Sequence, residues 1–210
     1  MPKHKRRVLI VCTHRRALAV LLSILVFAFS SLSFAKITRQ AHLMGTSFTI
    51  IIGDEIAEAI AVKAMDKAFQ EVARVESLMS EWIADSEISK INRNAGTAPT
   101  KISSETMSVL SLALEVSELS KGAFDPSWAS LKGLWSFQSN NPKLPRRSEI
   151  RRRLRAVNYQ NIILSKSNGT AFLAKPDMSL GLGAIAKGYG IDRAKSVLAD
   201  SKIKNFIVDG

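Results

Sequence analysis

The chain has 210 residues, with 30 Lys+Arg against 18 Asp+Glu and a formal charge of +12. Six of the cations (Lys3, Lys5, Arg6, Arg7, Arg15 and Arg16) crowd the amino terminus, and residues 36–210 keep only 24 against 18. That excess fits local patches, or an anionic ligand such as a pyrophosphate, better than a nucleic-acid stripe. Cys12 is the only cysteine and His42 the only histidine beyond residue 35. Disulfides, thiolate chemistry and a His/Cys metal site are therefore excluded from residues 36–210, leaving hard cations on oxygen ligands.

Residues 1–35 read as an address. A positive leader is followed by an apolar run from Ala17 to Phe29 and by small residues at Ser33 and Ala35. This is the order of a secretory signal peptide, with cleavage expected after Ala35. A retained anchor is the alternative, but the run is short for a bilayer crossing of about 20 residues. The expected location is periplasmic, peripheral to a membrane at most. Residues 36–210 suffice for one core of ordinary size.

In chain order, His42–Gly53 predicts a strand, rich in β-branched and aromatic residues. Glu55–Ser80 predicts a long helix with Ile56, Ile60, Met65, Phe69, Val72 and Met79 on one face. Asp85 or Ser86 caps a short helix through Ile91, and residues 94–99 form a loop. Ser103 or Ser104 caps the next helix, which carries Met107, Leu110 and Leu114 and ends near Gly122. Residues 122–145 read as irregular, yet hold Phe124, Trp128, Trp135 and Phe137; such a loop packs on a core or lines a cleft. Arg146–Val157 predicts a basic helix capped by Ser148, its arginines a solvated face or a docking patch. Tyr159–Leu164 and Gly169–Ala174 predict a hairpin about Ser-Asn-Gly. Lys187–Ala199 is helical and Asn205–Asp209 a strand. Strands and helices mix without strict alternation, which gives an α+β class.

Four strings can carry chemistry. Gly181–Asp192 is a glycine-rich turn opening a helix, where backbone N–H groups approach an anion and Lys187, in the first helical turn, can pair with phosphate. It lacks the order of a Walker loop. Gly181, Gly183 and Ala186 match the dinucleotide fingerprint, with Asp209 ending the following strand, but the second half of such a fold has no room. In Gly122–Trp128, Pro126 holds Asp125 extended, so its carboxylate can accept from a ligand or cap a turn. Leu43–Phe48 implies close backbone approach near Gly45. Trp82, at a helix exit, is core, rim, or cover for a flat ring.

The order MGTSF, MSEW with DSEISKIN, GAFDPSW with GLW, GLGAIAKGYGID and KNFIVDG resembles the ApbE family of FAD:protein FMN transferases, across about residues 41–210. The resemblance implies an ApbE-like domain over residues 36–210. It implies FAD as substrate, Mg²⁺, and transfer of FMN to a Thr or Ser hydroxyl of an acceptor with release of AMP. The implied acceptor is a flavoprotein subunit of a membrane redox complex or a related extracytoplasmic carrier. By motif position, Met44 and Trp82 contact the flavin, although the family usually has tyrosine at the latter. Ala123, Phe124 and Asp125 line the FAD site, Lys187 contacts the cofactor, and Ala184 offers Mg²⁺ its main-chain oxygen. Many members carry aspartate where this chain has Gly181, also assigned to the cofactor. Later family motifs with a histidine and an Asp/Thr pair are absent, so the expectation is a carboxy-terminally incomplete form with weak or no activity. A non-catalytic flavin-binding or acceptor-docking module is the alternative. Met44, Asp125 and Lys187 are expected around one cleft.

Overall fold

The structure, a computed structural model, describes residues 36–135 and 144–210. The signal-peptide reading of residues 1–35, and Phe137 and Pro142, lie outside them.

The first element differs from the expected single strand. Strand β1 (Ile37–Leu43) and strand β2 (Thr46–Ile52) form an antiparallel hairpin with Leu43 opposite Thr46. Met44 and Gly45 make the two-residue turn, both with positive φ (52° and 74°). Such a turn follows the twist of the strands, but it usually takes Asn-Gly or Gly-Gly; methionine at its first position hides the signal. Gly45 is there for its φ, because a side chain on it would meet nothing within 4 Å. Strand β6 (Phe206–Asp209) pairs antiparallel with the other edge of β2, giving the order β1-β2-β6.

Helix α1 (Glu58–Met79) turns Ala61, Ala64, Met65, Ala68, Phe69, Val72, Val75 and Met79 inward, a stripe at helical spacing. Ile60 is 56% exposed and Ile56 precedes the helix; the alanines fill the places expected of them. Helix α2 (Glu87–Arg93) is capped by Ser86, whose side chain accepts from Ser89 N–H, and helix α3 (Ser104–Leu119) by Ser103, which accepts from Thr106 N–H.

Strand β3 (Thr100–Lys101), β4 (Ile162–Ser165) and β5 (Thr170–Leu173) form a second antiparallel sheet, ordered β3-β5-β4. The expected hairpin is its β4–β5 pair. Between α3 and this hairpin, Pro126–Leu131 is a 3-10 helix, and helix α4 (Arg147–Leu154) buries no residue. Ser148 lies inside α4 and Arg146 occupies the cap without a side-chain bond, so the expected serine cap is not formed. The arginines are mostly solvated, and Arg153 donates inward, to Ser130 O.

Helix α5 (Gly183–Asp200) starts four residues before the expected Lys187. Lys187 is therefore in its second turn. No strand runs into Gly181, and β6 is antiparallel to its neighbour, so the dinucleotide fingerprint lacks its parallel βαβ frame.

Two apolar clusters result. Phe48, Ile50 and Ile52 of β2 pack with Met65, Val72, Ala194 and Leu198. The second joins Val75 and Met79 to Leu110, Leu173, Leu180 and Ala186. Helices α1 and α5 run through both clusters in opposite senses, so the end of α1 meets the start of α5. Met44 touches both clusters.

Candidate functional site

A cleft of about 270 Å³ opens where α1 ends and α5 begins. The hairpin turn contributes Met44 and Gly45, the end of α1 Glu76, Met79 and Ser80, the following turn Glu81, Trp82 and Ile83, and α5 Gly183, Ala186 and Lys187. The space suits one ring system, being just below the usual range for ligand pockets, about 300–1,000 Å³.

Met44 reaches the cleft because its left-handed backbone conformation swings it off the strand. Its sulfur rests where a side chain on Gly190 would be, 3.1 Å from that point. The strain of a non-glycine residue at positive φ is thus offset by packing against α5.

Leu182 occupies the amino-terminal cap of α5 and offers no side-chain bond. The start of a helix carries unsatisfied N–H groups and partial positive charge. Gly183 and Ala184 leave it exposed. Lys187 is half-buried one turn further on, with no salt bridge among the described residues. Opposite stands Trp82, 72% exposed, with the Lys132 ammonium over its ring at 3.2 Å from the centroid. The cleft thus offers a flat wall, a soft thioether and a cationic helix start.

Asp125 is elsewhere. It is extended (φ −141°, ψ 112°), as the following proline requires. Its carboxylate accepts from Ser127 N–H at 2.8 Å, Ser127 Oγ–H at 2.6 Å and Tyr159 N–H at 2.9 Å. It caps the 3-10 helix and ties it to the approach to β4. Ala123 is exposed and Phe124 packs against the second cluster; neither they nor Asp125 line the cleft. Of the three residues expected around one cleft, the structure brings Met44 and Lys187 together, adds Trp82, and sets Asp125 apart.

Gly181 links the two regions. Its N–H donates to Pro126 O at 2.9 Å, and its carbonyl accepts from Trp128 Nε1 at 3.1 Å. Gly181 is buried, and a side-chain carbon there would lie 3.0 Å from the Trp128 ring. The indole fills the space that a side chain at position 181, such as the aspartate expected there, would need. Trp128, one of the aromatics expected to pack on a core or line a cleft, thus packs against the glycine-rich turn, whereas nothing in the sequence marks Lys132 as a neighbour of Trp82. Lys132 is 50 positions from its partner, and only the close of the 3-10 helix brings it there.

Among the described residues no group of three or more His, Cys, Asp or Glu could hold a metal. Ala184 is exposed at the start of α5 and can give a metal a main-chain oxygen only. A larger, open groove of about 910 Å³ lies between α3 and the β4–β5 hairpin, and it contains none of the expected site residues. Among the described residues no helix is long and apolar enough to cross a membrane.

Fold and cleft define an α+β protein that sets an aromatic wall against a cationic helix start. The chain belongs to the ApbE family, whose model matches residues 44–210. It is 31% identical over 170 residues to an FAD:protein FMN transferase of Klebsiella pneumoniae, covering 81% of this chain and 52% of that protein. The ApbE protein of Thermotoga maritima superposes with a TM-score of 0.74 at 26% identity, over 84% of this chain and 57% of that one. The flavin transferase ApbE of Vibrio cholerae gives 0.75 at 24% identity, over 84% and 57%, and shares the fold. The chain thus spans a little over half the length of the relatives it matches.

Proposed function

We propose that the chain forms part of a periplasmic FAD:protein FMN transferase, and that the cleft at the end of α1 takes the flavin end of FAD. The observation carrying this reading is the convergence of Met44, Trp82 and Lys187, from three distant segments, on the uncapped start of α5. Trp82 offers a face for stacking the isoalloxazine ring. Met44 fills the irregular space beside it. Lys187 and the first N–H groups of α5 face the negative charge of the pyrophosphate. Gly181 of the glycine-rich turn bonds Pro126, which follows the Ala123–Asp125 segment in sequence, and the rest of a dinucleotide longer than the cleft would run along that side.

FAD supplies the reactive pyrophosphate bond, whose cleavage passes FMN to a Thr or Ser hydroxyl of an acceptor flavoprotein and releases AMP. The residues of this chain bind and orient: they fix the ring and hold the phosphates by charge. Mg²⁺ is part of this reading through Ala184 O, but the described residues do not fit a complete shell, since Mg²⁺ takes about six oxygen ligands. The acceptor is expected to belong to a membrane redox complex or a related carrier.

The test is a titration of the purified chain with FAD, followed by flavin fluorescence, in wild type and Lys187→Met. Loss of the charge is expected to weaken FAD by about 10-fold or more. Equal affinity, or no FAD binding by the wild type, overturns the assignment of the cleft. Incubation with FAD, Mg²⁺ and an acceptor flavoprotein then separates a transferase, which adds the mass of FMN to the acceptor, from a flavin-binding or docking module, which does not.

A further inference from the structure

Trp82 sits in a turn, not in an element, and 72% of it is exposed. An indole that open normally pays in rotamer freedom for any ring it stacks on. This one is already held. The Lys132 ammonium lies 3.2 Å from its ring centroid, and the same nitrogen donates to Glu81 O at 3.2 Å. Lys132 is itself anchored, because its N–H donates to Ala129 O at 2.9 Å at the exit of the 3-10 helix. Lysine is seldom drawn out of water without partners. Burial lowers the Lys132 pKa, and the neighbouring Glu81 carboxylate opposes that. The indole face and the Glu81 carbonyl are the contacts that hold the ammonium in this place.

Trp82 lines the cleft and Lys132 does not. The ammonium covers one face of the indole, and the 72% exposure of the residue leaves the opposite face free for a ligand. Resting on the reading of this cleft as the flavin site, we propose that Lys132 is a positioning residue: it locks the Trp82 indole as a fixed wall, so that a planar, electron-poor ring stacks on the free face. Lys132 acts through Trp82 and does not touch the ligand's phosphates.

The test compares Lys132→Met, which keeps the apolar stem, with Lys132→Arg, which keeps the cation. Each is titrated with FAD, with riboflavin (ring without phosphate) and with AMP (phosphate without flavin). Lys132→Met is expected to weaken FAD and riboflavin by the same factor, about 3–10-fold, the cost of ordering a side chain on binding. AMP is expected to be unaffected, and Lys132→Arg to restore the flavins. In the unliganded protein, the indole N–H of Trp82, assigned by its loss in Trp82→Phe, should gain mobility in Lys132→Met by ¹⁵N relaxation. Weakening of FAD without riboflavin would mean a phosphate contact and overturn the proposal. So would unchanged indole mobility, or unchanged flavin affinity where the wild type binds FAD. A wild type that binds no flavin would sink the reading of the cleft together with the stacking, a result distinct from a failure of Lys132 alone.

Discussion

The sulfur of Met44 lies 3.1 Å from the point where a side-chain carbon on Gly190 would stand. Hairpin turn and helix α5 therefore fix each other, and one wall of the cleft depends on a missing methyl group. Gly190→Ala adds that group inside α5, where alanine is the better helix former by about 1 kcal/mol. The added carbon pushes Met44 by a few tenths of an ångström, and overpacking of this kind costs about 1–3 kcal/mol. Stability in urea should change little or fall slightly, while FAD affinity falls more clearly. A rise in stability with unchanged affinity would show that Met44 has room to move.

Gly181 and Trp128 form a second such pair. Aspartate at 181 would place a carboxylate against the indole in a buried position. Gly181→Asp is expected to lose about 3 kcal/mol, from overpacking and from a poorly solvated charge. Adding Trp128→Val should recover part of that loss, and a double-mutant cycle measures the coupling. Additive effects would mean that the indole does not occupy the aspartate's space.

Much of the fold is legible in the sequence because its signals are local. Ser86 and Ser103 cap the helices they precede, the alternation of Phe48, Ile50 and Ile52 marks a buried strand face, and Ser-Asn-Gly turns the β4–β5 hairpin. The misses have physical reasons. Met44 takes a backbone conformation that its side chain disfavours, so the first hairpin read as one strand. Helix α4 has no serine cap, because Arg146 takes that position. Of the three residues expected around one cleft, Met44 and Lys187 meet there beside Trp82, while Asp125 caps the 3-10 helix instead. Lys132 and Trp128 act on partners some 50 positions away in sequence (Trp82 and Gly181), and no local pattern announces such a contact.

Three helices are pinned by charge. Glu71 of α1 accepts from Arg74 and from Arg193 of α5, each at 2.8 Å. Arg74 reaches across to both oxygens of Glu105 on α3 at 2.7 Å, and Tyr189 donates to Glu105 at 2.8 Å. The Arg74 hydrogen bond, then Arg193, lowers the Glu71 pKa from 4.5 to about 2, and Glu105 is lowered for the same first reason. A carboxylate with a depressed folded-state pKa stabilises fully above its unfolded value and loses that contribution as pH falls through the folded one. The network's contribution should be intact above about pH 5 and decline toward pH 2. Glu71→Gln should unfold more readily at pH 7, by about 1 kcal/mol, and show a flatter loss of stability with acid. Parallel acid-unfolding profiles of variant and wild type would remove Glu71 from that role.

Asp125 separates two kinds of importance. Its carboxylate accepts three hydrogen bonds from Ser127 and Tyr159, and these join the 3-10 helix to the start of the second sheet. Asp125→Ala leaves those donors without their acceptor in a half-buried place, at a cost of about 2–3 kcal/mol. Asp125→Asn keeps one acceptor oxygen and should cost less than half as much. If the residue works by holding this junction, FAD affinity will follow stability: nearly normal in Asp125→Asn, reduced in Asp125→Ala. If the carboxylate works on the ligand, Asp125→Asn will lose affinity while its urea midpoint stays close to wild type. The geometry favours the first order, because the carboxylate is engaged by Ser127 and Tyr159, and Asp125 would then reach the nucleotide only through the backbone that it holds beside Gly181.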